Sequence, residues 1–145
     1  MSDPPLPVDL DHVGIAVADL DAAVERYARL LRVRPAHRER VEDQGVEEVL
    51  FAAGSSLVQL LGALGDDTPV GAFLAERGPG VHHVAYRVDD LPAALEHLRA
   101  EGARLVGEVP RRGSRNTSIA FVHPRAFEGV LVELVQLPDD AARNG

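Results

Sequence analysis

Two histidines, a glutamine and a glutamate interrupt apolar runs in this chain. His12 opens HVGIAV, His83 opens HVAYRV, Gln59 sits within LVQLL and Glu133 within VLVELV. A polar side chain buried in such a run without a partner costs about 1–3 kcal/mol, so four of them require an account. Two imidazoles, an amide oxygen and a carboxylate that converge are the donors of a divalent-metal site. The chain has no cysteine, and one donor is a neutral amide, which argues against a closed tetrahedral zinc site. An ion of octahedral preference fits better, with two positions left for water or substrate. Co²⁺, Mn²⁺, Ni²⁺, Mg²⁺ and Zn²⁺ are the candidate ions. A divalent ion with one carboxylate leaves a net charge of +1, which attracts an anionic ligand with two oxygens.

An internal repeat puts the four positions into correspondence. Shifted by 71 positions, the 17-residue segment HVGIAVADLDAAVERYA from His12 lies over HVAYRVDDLPAALEHLR from His83. The identities are His12/His83, Val13/Val84, Val17/Val88, Asp19/Asp90, Leu20/Leu91, Ala22/Ala93, Ala23/Ala94 and Glu25/Glu96. His12 and His83 therefore hold one position in the first strand of each half. Gln59 and Glu133 hold one position in the last strand of each half. Twofold repetition brings all four to one pseudo-symmetric centre.

The elements follow from periodicity. Residues 10–17 and 81–88 are strands rich in Val. Asp19 and Asp90 are N-caps, and Pro92 suits a first helical turn. Leu20, Ala23, Val24, Tyr27, Leu30 and Leu31 form one apolar helical face, and Leu91, Ala94, Leu95 and Leu98 another. Gly102 ends the second helix. Glu48–Phe51 and Leu57–Leu61 form a hairpin about Gly54-Ser55-Ser56. Ser118–Phe121 and Val130–Leu134 form its counterpart about a longer turn at His123-Pro124. Short strands near 35–41 and 104–109 complete two βαβββ modules, 10–61 and 81–137. The Gly- and Pro-rich segment 62–80 links them and carries a short helix near 68–76. The class is α+β, and residues 1–145 are expected to form one domain with fraying at the last few residues.

Composition excludes other classes. With 15 Lys+Arg against 23 Asp+Glu and a net charge of −8, the chain is a poor partner for a nucleic-acid backbone. No apolar run approaches the ~18 residues of a membrane span. The N-terminal Met1-Ser2-Asp3-Pro4-Pro5 lacks the features of a signal peptide. A cytoplasmic location is expected. Apolar residues reach 46% but aromatic ones only 4%, so Val, Leu and Ala must build the core.

In this order, LDHVGIAV, DQGVEEVLF, LVQLL, GVHHVAYRV, FVHP and GVLVELVQ resemble the methylmalonyl-CoA epimerase family. That family lies within the vicinal oxygen chelate (glyoxalase/bleomycin-resistance/dioxygenase) superfamily. The resemblance runs from about Asp11 to Gln136. It implies one curved mixed sheet around a metal site, with helices outside. It implies His12, Gln59, His83 and Glu133 as metal ligands and Glu48 and Glu133 as the two proton-transfer carboxylates. It implies an acyl-CoA substrate, a role in propionate metabolism and a homodimer. Strand alternation turns His82 and Glu47 away from the face that holds His83 and Glu48. The loop RRGSRNTSIAF carries Arg111, Arg112 and Arg115 where the family often has glycines; they are candidates for the CoA phosphates. His37 and His97 read as surface residues, and His123 as part of a turn. The rival readings are a glyoxalase I-like isomerase and a non-catalytic drug-binding resistance protein on the same fold.

Overall fold

A computed structural model describes residues 8–139 of the protein. The expected fraying of the last residues lies outside that range. The elements in chain order are β1 (Val8–Ala16), α1 (Leu20–Leu31), β2 (Pro35–Val41), β3 (Val46–Ala53), β4 (Ser56–Ala63), α2 (Pro69–Arg77), β5 (Gly80–Val88), α3 (Leu91–Ala100), β6 (Leu105–Arg112), β7 (Ser118–Val122) and β8 (Val132–Gln136). All eight strands belong to one mixed sheet, in the order β2-β3-β4-β1-β5-β8-β7-β6. The described residues divide into two compact units, one of residues 12–83 and one of residues 84–139 together with 8–11. The division falls within β1 and β5.

Each unit repeats the same local plan. In the first, β1 pairs in parallel with β4, and β2, β3 and β4 form an antiparallel meander. In the second, β5 pairs in parallel with β8, and β6, β7 and β8 are antiparallel. Both first helices start as the sequence predicts. Asp19 accepts a hydrogen bond from the Ala22 amide and Asp90 from the Ala93 amide, each at 3.1 Å. These side chains satisfy one of the orphan amides of each first turn.

The His12–His83 unit has two distinct sheet faces. Val49, Phe51 and Leu60 are buried on one, under Leu20, Ala23, Val24 and Tyr27 of α1. Tyr27 stacks on Phe51 with ring centres 6.0 Å apart. Leu30 and Leu31 do not join this stripe; they are 67% and 62% exposed. The predicted apolar face is thus one turn too long, and α1 closes at Arg32 in a left-handed conformation. On the other face, Ala16, Val46 and Leu61 pack beneath Val70, Phe73 and Leu74 of α2. Strand alternation and register extend this second face from Ala16 to His12, from Leu61 to Gln59, and from Val46 to Glu48. It is apolar at the end covered by α2 and polar further along. In the second unit, Leu91, Ala94 and Leu95 of α3 pack on Ala120, Val122, Val132 and Leu134. None of the described helices is long and apolar enough to cross a membrane.

Candidate active site

The His12–His83 unit brings four of the predicted residues onto its second sheet face. His12 and His83 are buried, and their Nε2 atoms stand 3.1 Å apart with the rings nearly perpendicular. Two ligand nitrogens at adjacent corners of an octahedron, with bonds of about 2.1 Å, are separated by about 3.0 Å. The pair therefore has the spacing of two ligands of one ion. Burial, reinforced by the neighbouring His12 and His82, holds the His83 imidazole well below its ordinary pKa. His83 is accordingly neutral at neutral pH, the form that offers a lone pair to a metal.

Gly14 sets the position of His83. A Cβ at residue 14 would lie 2.3 Å from His83 Cε1, 2.6 Å from Nδ1 and 2.8 Å from Nε2. The imidazole occupies the space that any larger residue would fill.

Gln59 lies beside Gly14 in the β1–β4 register and is buried. Its amide nitrogen donates to Glu48 Oε2, while its own Oε1 is buried with no hydrogen-bond partner. A buried, unpartnered carbonyl oxygen is costly and is the oxygen donor a divalent ion takes. The donor spacing, the neutral imidazole and this oxygen all fit a bound cation.

Glu48 is 1% exposed. One carboxylate oxygen is held by Gln59, and the other, Oε1, has no partner. The side chain is thus fixed in orientation with one oxygen available as a base. Its neighbour Glu47 turns to the opposite face, where it accepts from Arg38 Nε at 2.6 Å, as alternation requires. Glu133 belongs to the second unit, where it is buried in β8 opposite Ala85 of β5 and Phe121 of β7.

One expectation needs correction. His82 does not turn wholly away from His83: their Nδ1 atoms are 3.0 Å apart, and the His82 ring lies edge-on to Phe73 of α2. Nδ1 is close to the backbone in an imidazole, so neighbours along a strand can meet there even when their ring tips diverge. His82 can therefore accept the Nδ1 proton of His83 and fix the tautomer in which Nε2 carries no proton. Adjacency to the site histidine was the available signal, but alternation masked it. The three arginines named as candidates for the CoA phosphates have different surroundings. Arg111 is half-buried and its neighbour Arg112 exposed, which places them on opposite faces of β6. Arg115 donates from Nη2 to the buried Asp11 Oδ2 at 2.7 Å. Arg115 and Asn116 both adopt positive φ, 55° and 57°, a conformation that costs a non-glycine residue about 1 kcal/mol or more. The Asp11 pair holds that turn in place.

Known proteins place this arrangement in context. The profile of the Glyoxalase/Bleomycin resistance protein/Dioxygenase superfamily matches residues 11–121. The chain is 37% identical over 131 residues to the ethylmalonyl-CoA/methylmalonyl-CoA epimerase of Cereibacter sphaeroides, covering 88% of this chain and 97% of the relative. It is 45% identical to methylmalonyl-CoA epimerase from Mycobacterium tuberculosis, with a TM-score of 0.87 over 92% of this chain and 91% of that one. A methylmalonyl-CoA epimerase solved in complex with methylmalonyl-CoA and NH4+ is 40% identical, with a TM-score of 0.88 over 93% and 97% of the two chains.

Proposed function

The chain belongs to the methylmalonyl-CoA epimerase family of the glyoxalase/bleomycin resistance protein/dioxygenase superfamily, and from that premise we propose that it interconverts (2R)- and (2S)-methylmalonyl-CoA by proton transfer between two carboxylates. The observation that carries this reading is Glu48: a fully buried carboxylate with one oxygen anchored and the other unpartnered. A structural glutamate has no need of an unsatisfied oxygen. A proton-transfer group does.

The α-proton of the substrate lies between a thioester and a carboxylate, so its removal leaves negative charge on oxygen. His12, Gln59, His83 and Glu133 would hold the divalent ion, with Co²⁺ favoured. Glu133 is assigned on its repeat equivalence to Gln59 and its burial in β8. Its strand partner Ala85 lies two residues beyond His83 along β5, on the same side of that strand. When bound, the ion supplies positive charge against the oxygens of the developing enolate. Glu48 removes the proton from one face of the substrate, and Glu133 delivers a proton to the other. Gln59 orients Glu48 through its amide. The burial of Glu48 holds it away from bulk water and strengthens these interactions. The same reading assigns Arg111, Arg112 and Arg115 to the CoA phosphates, the cytoplasm as location and a homodimer as the assembly.

Replacing Glu48 with Gln separates chemistry from metal binding. Glu48→Gln is expected to bind metal as the wild type does and to epimerise about 10²–10⁴-fold more slowly. An epimerisation rate within a few-fold of wild type would remove Glu48 from the mechanism.

A further inference from the structure

A buried base must be reset. After Glu48 accepts the α-proton of one substrate, it has to lose that proton before it can accept the next. Glu48 itself is 1% exposed, so it needs a route to water. Its neighbours on the same face of the sheet supply one. Glu39 of β2 stands directly opposite Glu48 in the β2–β3 register. His37, two residues earlier and so on the same face, bonds through Nε2 to Glu39 Oε1 at 2.8 Å. Both side chains are 35% exposed. His37, Glu39 and Glu48 each place a nitrogen or carboxylate oxygen within 4.8 Å of the others. One hydrogen-bonded water spans such a gap.

The geography supports a path rather than a surface ion pair. β2 is the outermost strand of the sheet order, beside β3. The cationic residues of β2 lie on the opposite face, where Arg38 pairs with Glu47 and Asp21, and Arg40 with Glu42. The face of Glu48 instead carries a carboxylate and an imidazole in contact, running from a closed position to water. Surface placement of His37, the expectation from sequence, therefore misses its partner.

We infer that the Glu39–His37 pair carries the proton of Glu48 to solvent between turnovers. The inference rests on the reading of Glu48 as a catalytic base. The balance is simple: the Glu48 carboxylic acid gives its proton through one water to the Glu39–His37 pair. That pair passes it to bulk water and the Glu48 carboxylate is restored, while Glu133, which gave its proton to the product, takes one back from water. Glu39 and His37 do not touch the substrate in this scheme; they act through Glu48.

The test uses the metal-loaded full chain, methylmalonyl-CoA deuterated at C2, and the variants Glu39→Gln and His37→Gln beside wild type and Glu48→Gln. Wild-type activity that is lost in Glu48→Gln establishes the underlying reading first; without that result the reading of Glu48 fails, and the path with it. Given it, both path variants are expected to lower kcat by about tenfold or more while kcat/KM stays within about twofold, because resetting follows product release. Deuterium should pass to water more slowly relative to epimerisation. Added imidazole or formate should restore kcat in part. Unchanged kcat and unchanged deuterium loss in both variants would overturn the inference. So would kcat and kcat/KM falling together with the melting temperature, or wild type binding a second equivalent of metal that Glu39→Gln loses.

Discussion

Gly14→Ala is the sharpest probe of the histidine pair. The added Cβ would lie 2.3 Å from His83 Cε1, whereas carbon atoms in contact settle at about 3.5 Å or more. The imidazole must therefore shift by about 1.2 Å, or β1 and β5 must separate. A ligand nitrogen tolerates only about 0.2 Å of displacement in a metal site. His83 should cease to ligate. Loss of an outer partner of a ligand already costs 10–100-fold in affinity, so loss of the ligand itself should cost at least about 100-fold, or about 2.7 kcal/mol. The backbone at residue 14 does not need positive φ, so alanine is tolerated conformationally and the effect is steric. Calorimetric titration with Co²⁺ and epimerisation rates measure it. A double-mutant cycle isolates the cause: in a His83→Ala background, Gly14→Ala should add almost nothing. Metal affinity within twofold of wild type for Gly14→Ala alone, or full additivity in the cycle, would refute the steric argument.

Two further outcomes follow from the same geometry. His82→Ala removes the acceptor beside His83 Nδ1 and should weaken metal binding about 10–100-fold without unfolding the chain; equal affinity for wild type and variant would deny His82 that role. Burial keeps the folded-state pKa of His83 well below 6.5, so between that value and pH 6.5 the unfolded chain binds the extra proton. The metal-free protein should lose stability as pH falls below about 6.5, by up to about 1.4 kcal/mol per unit from this residue, with no such contribution above it. Melting temperatures from pH 7.5 to 5.5 should fall more steeply for wild type than for His83→Gln, and equal slopes would contradict the assignment.

The sequence carried what is local or repeated. Asp19 and Asp90 cap their helices because an N-cap is decided within four residues. β2 spans the expected 35–41, and the short helix expected near 68–76 is α2. The duplication in sequence reappears as two units of the same strand order. The buried state of His12, Gln59, His83 and Glu133 was legible because polar residues stood in apolar runs. Pairings between distant segments were not. Arg115 meets Asp11 across 104 residues, and nothing in RRGSRNTSIAF announces that partner. His37 meets Glu39 and faces Glu48 only through the β2–β3 register, which is fixed by the whole meander. Leu30 and Leu31 continue a helical stripe in the sequence, but α1 has by then run past the strands it covers. Periodicity reports which face is apolar, not where the covering surface ends.

Proton exchange in deuterated water decides whether Glu48 and Glu133 act as the two bases. Metal-loaded protein is incubated with methylmalonyl-CoA in D2O, and deuterium at C2 is followed in both epimers. Exchange coupled to epimerisation is expected in wild type, with loss of epimerisation in both Glu48→Gln and Glu133→Gln. No exchange in the metal-loaded wild type, or epimerisation that survives in either variant, would contradict it.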